Sequence, residues 1–191
     1  IDRIANTTAF GNKKLLDGSQ AYLASGVPPA AVDSVSLFSV LVPYGTARPV
    51  TVRVTQSAQT ARVSFLGGTP GGTSTTSAVT VEIRGSLGRE VFSFASGTRL
   101  SDIRTSVNNL AAALGVSATV STTVAGTTRS AIILNSTTFG SDAFVSVSPI
   151  SGNFVSGTNA GTTIRDTGVD TGVLIDGQLA SARGLRADVR V

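Results

Sequence analysis

The chain has 191 residues, with 15 Lys plus Arg against 11 Asp plus Glu, a formal charge of +4. It has no Cys, His, Trp or Met, which excludes a disulfide framework, a thiolate nucleophile, a Cys or His metal site and a Ser-His-Asp triad. Only 14% of residues are charged, against about 25% in an ordinary soluble domain, while Ser and Thr make up about a quarter of the chain.

Residues 1–18 read IDRIANTTAFGNKKLLDG. Ile1, Ile4 and Ala5 sit at helical spacing, so this start is predicted to be the end of a longer helix. Asn6-Thr7-Thr8 ends it, because these side chains compete for backbone hydrogen bonds. Phe10, Leu15 and Leu16 are then apolar anchors of an extended segment, and Asp17-Gly18 closes it with a turn. Residues 19–33 are a Gly/Pro/Ala linker, in which Pro28-Pro29 forbids regular structure.

Residues 34–78 read as a β-rich segment. The run SVSLFSVLV at 34–42 is predicted to be a buried strand. Val50, Val52 and Val54 alternate with polar residues, the pattern of a half-buried strand, and residues 62–65 form another. GGTPGGTSTTS at 67–77 is predicted to be an exposed loop.

Residues 79–150 carry the clearest pattern. Val79, Val81 and Ile83 alternate; a loop at 85–88 follows; Val91, Phe92 and Phe94 lie on a second strand. Leu100, Ile103, Val107, Leu110, Ala111 and Leu114 then share one helical face, with Thr98 as the expected N-cap and Gly115 as the left-handed stop. These apolar positions are expected to be core rather than a partner-binding stripe. Strands are predicted around Val116–Val120, Ala131–Leu134 and Phe144–Val147. The β-β-α-β-β-β order predicts an α+β fold, mainly β: small antiparallel sheet modules with one amphipathic helix packed on a sheet. Residues 151–172 are read as a loop, and 173–191 as a returning turn-strand pair.

The opening residues 1–18 resemble the bacterial flagellin motif IDRIA-x-x-T-x-FNG-x-KLLDG, with Gly11-Asn12 in place of Asn-Gly. Residues 79–147 are similar to the flagellin hook IN motif, carried by FASGTRLSDIRTSVNNLAAALGVSATV and IILNSTTFGSDAFVSV. Residues 168–188 resemble the stretch that trails that motif, with Asp176 in the usual Asn place. The resemblance implies a structural subunit of the flagellar filament, located extracellularly. Residues 1–18 would be a stub of the core-proximal domain, and the rest the surface-exposed outer region. Its partners would be other flagellin subunits, joined through core helices lying outside this chain, so that the fragment itself is expected to be monomeric. Export of flagellins as unfolded chains suits a Cys-free composition. The alternative is a binding module of a hook-associated or adhesin-like protein.

Ile1, Ile4, Phe10, Leu15 and Leu16 are the candidate packing or subunit contacts near that core. No catalytic, cofactor or metal site is expected, and the protein is not read as an enzyme. Asp142 is expected to cap a turn rather than to bind calcium, which needs six or more oxygens. Asp166, Asp170 and Asp176 lack the alternate-residue spacing of a calcium loop. The N-x-[ST] tripeptides at Asn6 and Asn135 are common by chance in a Ser/Thr-rich chain, and the modification expected is O-linked sugar on the hydroxyls of 67–77. The pI near 10.3 reflects few acids and mostly Arg as base. Arg48, Arg53, Arg62, Arg84, Arg89, Arg99 and Arg104 are scattered in sequence, so no nucleic-acid partner is expected. No apolar run reaches the roughly 18 residues of a membrane span, so no membrane partner is expected either.

Overall fold

The computed structural model describes residues 9–10, 13–14, 23–38, 42–43, 46–67, 75, 77–121, 130–152, 154 and 163–190, with 9–10 and 13–14 as backbone only. The chain divides into two compact units, Ile1–Pro49 and Val50–Val191. The division falls later than the 19–33 linker.

In the first unit, β1 (Ala9–Phe10) pairs antiparallel with β2 (Lys13–Lys14). The carbonyl of Pro28 accepts the amides of Ala31 and Val32 at 3.0 and 2.9 Å, a turn that fits the Pro28-Pro29 signal. The strand expected at 34–42 is absent over its described part, 34–38 and 42, and Phe38 is 84% exposed. The apolar run there finds no ladder partner, and β-structure without a partner strand leaves its amides unpaired.

The second unit is built from β3 (Val52–Gln56), β4 (Arg62–Leu66), β5 (Val79–Gly85), β6 (Arg89–Phe94), α1 (Leu100–Asn109), α2 (Ala111–Leu114), β7 (Val116–Ser121), β8 (Ala131–Ser136), β9 (Phe144–Ser151), β10 (Ile164–Thr167), β11 (Gly172–Ile175), β12 (Gln178–Leu179), β13 (Ser181–Arg183) and β14 (Arg186–Asp188). All named ladders are antiparallel. The fold is therefore mainly β in small antiparallel sheets, with one helix of ordinary length.

The region 79–150 does not form one sheet. Its strands divide between a four-stranded sheet, β10-β9-β5-β6, and a three-stranded sheet, β4-β8-β7. β4 and β10 come from segments on either side of that region. The ladder of β4 with β8 thus crosses the boundary expected at 79, and β10 replaces part of the loop expected at 151–172. The core lies between the two sheets. Val79, Val81 and Ile83 of β5, Val145 and Val147 of β9, and Ile132 and Leu134 of β8 are all within it. The period of two puts these residues inward and their polar neighbours outward. Phe65 meets Phe154 edge-on, with ring centroids 5.0 Å apart.

The helix closes this core. Leu100, Ile103 and Val107 of α1 are fully buried, α1 lies on β7 and β8, and α2 reaches β5, β6 and β7. The predicted single helix is interrupted at Leu110, whose φ of −112° and ψ of 10° leave the helical region. Asn108 and Asn109, weak helix formers, precede the break. The Asn108 side chain instead serves the edge of β7: its Nδ2 donates to the Ala118 carbonyl at 3.0 Å and its Oδ1 accepts the Ala118 amide at 2.7 Å. Two caps differ in outcome. Gly115 stops the helix in the left-handed conformation, at φ 72°. Thr98 is not the N-cap; that position belongs to Arg99, and the Thr98 hydroxyl donates to the Ala95 carbonyl at 2.8 Å.

Two exposures also depart from expectation. β3 is exposed at all five positions, because it forms the edge of a small sheet, β12-β11-β3, and pairs only with β11. Thr75, at the end of the expected exposed loop, is only 3% exposed; its hydroxyl donates to the Ala95 carbonyl at 3.0 Å. Residues 68–74 lie outside the described residues. Folding also gathers some of the scattered arginines. The ladders set Arg165 opposite Ser146, Ser146 opposite Arg84, and Arg84 opposite Arg89.

Since Leu110 is 36% exposed and Leu100 is fully buried, the two should respond differently to truncation. Leu100→Ala is expected to cost about 2–5 kcal/mol and Leu110→Ala under about 1 kcal/mol, measured by urea unfolding. Equal costs would show that the helix runs unbroken in solution.

Candidate functional site

Four stretches of backbone meet where the chain returns from the core to the small sheet. The carbonyl of Gln59 accepts two amides, Val169 at 3.0 Å and Gly140 at 3.1 Å, while the Gln59 amide donates to the Val169 carbonyl at 2.8 Å. The Gly168 amide donates to the Ala143 carbonyl at 2.8 Å, and the Thr171 amide to the Gly184 carbonyl at 2.9 Å. Each bond joins segments remote in sequence, so the junction ties together the 59–61, 139–143, 168–171 and 184 positions.

Asp170 sits at its centre. Its Oδ1 accepts the amides of Ser141 at 3.0 Å and Gly184 at 2.7 Å, and its Oδ2 accepts the Ser141 hydroxyl at 2.6 Å. The Ser141 hydroxyl contributes most to holding this carboxyl below its ordinary value of 3.8. The Gly184 and Ser141 amides follow, partial burial opposes them, and Arg183 adds a smaller attraction. Such bonds favour the ionised form because each donor points at developing negative charge.

The crossing has no room for side chains at two positions. A Cβ on Gly140, whose φ is +100°, would lie 2.5 Å from Asp170 Oδ1 and 2.6 Å from the Gly184 Cα. A Cβ on Gly168 would overlap the Gly140 carbonyl oxygen and lie 2.6 Å from that of Gln59. Glycine is required here by close backbone approach, and at Gly140 by its backbone angle as well.

The other two acids of the 166, 170, 176 series act in the same way. Asp166 Oδ2 accepts the Arg62 amide at 2.7 Å, linking the outer edges of β10 and β4. Asp176 Oδ1 accepts the Thr51 amide at 2.8 Å, and the Asp176 amide returns a bond to the Thr51 carbonyl at 2.9 Å. Asp142, expected to cap its own turn, instead accepts Nε of Arg183 at 2.5 Å. That pair is well exposed, so it adds little stability. The capping role falls to Asp170, from a different part of the chain. Among the described residues no group of three or more His, Cys, Asp or Glu could hold a metal ion, and no helix is long and apolar enough to cross a membrane.

The candidate core contacts are not brought into this site. Ile1, Ile4, Leu15 and Leu16 lie outside the described residues, as do Gly11-Asn12 and Asn6. Phe10 is placed by its backbone, opposite Lys13. Asn135 stands in β8, the central strand of its sheet, between Arg62 and Ser117. Sequence reasoning missed Gln59, Gly140, Gly168 and the function of Asp170. The local signal is Asp and Gly two residues apart at 140–142 and 168–172, which marks turns but not their partners.

What this arrangement does is join four chain segments, through backbone hydrogen bonds and the Asp170 carboxylate. The fold is similar to that of bacterial flagellar cap protein domains. The chain is similar to the flagellar cap protein FliD from Bdellovibrio bacteriovorus, at 16% identity and a TM-score of 0.50, over 68% of this chain and 73% of that one. Further similar structures are the FliD D2-D3 domains from Escherichia coli, with 18% identity, TM-score 0.47 and coverage of 71% and 72%, and FliD (HAP2) from Pseudomonas aeruginosa, with 17%, 0.49, and 75% and 69%. No family model and no curated protein matches the sequence.

The folded-state pKa of Asp170 is lowered, so its clasp stabilises the fold above the ordinary carboxylate range and ceases to do so as pH falls through the folded-state value. Asp170→Asn should therefore lower Tm at pH 7, and the gap to the parent should narrow on acidification; a gap independent of pH would refute the ionised clasp. Gly168→Ala should cost about 1–3 kcal/mol by overpacking, read from urea midpoints, with faster hydrogen exchange at the amides of Gly140 and Val169.

Proposed function

We propose that this chain is the surface-exposed outer part of a structural protein of the bacterial flagellum, and that the protein is a flagellin, a subunit of the filament. The observation that carries the reading is the opening sequence of residues 1–18, which matches the flagellin pattern at nearly every fixed position. The fold likeness to a flagellar cap protein supports a flagellar setting independently of that motif. Residues 1–18 act as the stub of the core-proximal domain, with Ile1, Ile4, Phe10, Leu15 and Leu16 packing against it. Residues 34–172 project outward, and 173–191 return towards the core. The partners are other flagellin subunits, engaged through core helices beyond this chain.

The role of such a region is to keep its shape under shear while exposing a weakly interacting surface. The junction around Asp170 serves the first need, since tension between the small sheet and the core would be borne by several backbone hydrogen bonds in parallel. A second reading, a cap or other hook-associated protein, is favoured by the kind of structures that the fold resembles.

Immunogold labelling of native filaments with antibody raised against the chain separates the two. Label along the whole filament is expected for a flagellin; label confined to the distal tip would establish the cap reading instead. Analytical ultracentrifugation of the 191-residue chain at micromolar concentration should give a monomer.

A further inference from the structure

We propose that the outer face of the four-stranded sheet, where Arg165, Ser146, Arg84 and Arg89 form one row beside Phe144, is a binding site for a carboxylate-bearing polysaccharide. The row follows from the ladder registers and crosses the sheet in the order β10, β9, β5, β6. Adjacent strands lie about 4.8 Å apart, so the row is about 14 Å long. Three of its four members are cations.

The row is costly to keep without a ligand. Arg84 and Arg89 stand directly opposite each other in the β5–β6 ladder, and like charges so placed destabilise a sheet. Glu82 offsets only Arg89, at 3.7 Å. Arg84 and Arg165 make no ion pair among the described residues. Both lean on the Phe144 ring instead, at 5.7 and 4.0 Å from its centroid. Stacking on the ring fixes the planes of the guanidinium groups while leaving their N–H edges open to solvent. Two oriented forks without an acid match carboxylates, which they can bind through paired hydrogen bonds.

The neighbours of the row select among anions. The Ser146 hydroxyl makes no hydrogen bond among the described residues, and Ser148 and Thr163, bonded to each other at 2.8 Å, occupy the next row. These hydroxyls suit a ligand that carries hydroxyls of its own. Glu82 shares that next row, so closely spaced charges meet repulsion there, which disfavours the dense phosphates of nucleic acid. Phe144 offers no free stacking platform for bases, because Arg165 covers it. An acidic peptide can also dock on an Arg cluster, but it brings few hydroxyls to meet Ser146, Ser148 and Thr163. A polysaccharide with a carboxylate on only some ring positions satisfies all of these limits.

The test uses the 191-residue chain and polygalacturonate, with isothermal titration at low salt. Fully methyl-esterified polygalacturonate, polyglutamate and a single-stranded oligonucleotide are the comparison ligands. Binding of polygalacturonate is expected, falling steeply between 0.05 and 0.5 M salt as screening shortens the electrostatic range. The Arg84→Gln/Arg165→Gln variant should bind at least about tenfold more weakly, while Arg53→Gln/Arg104→Gln, which removes the same charge elsewhere, should bind within about twofold of the parent. Equal binding by the first variant, or equal binding of the esterified polymer by the unaltered chain, would overturn the proposal. Tighter binding of the oligonucleotide or of polyglutamate would overturn it in favour of that class. The esterified arm needs no substitution, so it stands even if a variant folds poorly.

Discussion

The Gln59 carbonyl and the Asp170 carboxylate share one duty: each accepts hydrogen bonds from backbone that is far away in sequence. Together they hold four chain segments so close that Gly140 and Gly168 leave no space for a Cβ. This contact ties the small sheet β12-β11-β3 and the hairpin β13–β14 to the core. With it, a core of modest aromatic content extends its order to pieces that bury little apolar surface of their own. β3 is exposed along its whole length, and a strand so exposed gains little from the hydrophobic effect. Its place is fixed by the β11 ladder and by the clasp of Asp176 on Thr51. Val173 and Ala180 are the buried apolar residues of this end, and the rest of its contacts are polar and directional.

Much of the fold was legible in the sequence because it is written in local periodicity. The alternation at Val79–Ile83, the helical face from Leu100 to Val107 and the stop at Gly115 each depend on a few neighbouring residues, and each is found in the structure. What could not be read is pairing. β4 and β10 complete two different sheets, yet neither carries a mark of its partner. The run at 34–38 and the valines of β3 show that alternation alone does not bury a strand; a covering layer must exist. The break at Leu110 has a similar cause. Asn108 turns from the helix to the edge of β7, and only the folded position of Ala118 explains why. The junction was least legible of all, since apart from the Asp170 carboxylate and the Ser141 hydroxyl it is built from backbone groups, which every residue possesses.

On the proposed reading, this division of labour has mechanical sense. A core specified by alternating apolar positions tolerates extensive change of identity so long as the pattern and volume persist. A likeness of fold at 16% identity is what such a rule allows. The polar junction is less forgiving, because bond geometry and two missing side chains must be kept together.

The same logic accounts for the charge. Asp166, Asp170 and Asp176 are engaged by backbone amides, and Asp142, Asp188 and Glu82 by arginines. The few acids of this chain are thus largely committed within the fold. The more numerous arginines are not matched one for one, and the sheet registers bring three of them into one exposed row. A basic pI that looked diffuse in the sequence becomes local in the structure. The concentration of cations follows from register: the ladders align Arg165, Arg84 and Arg89, and Glu82 pairs only with Arg89.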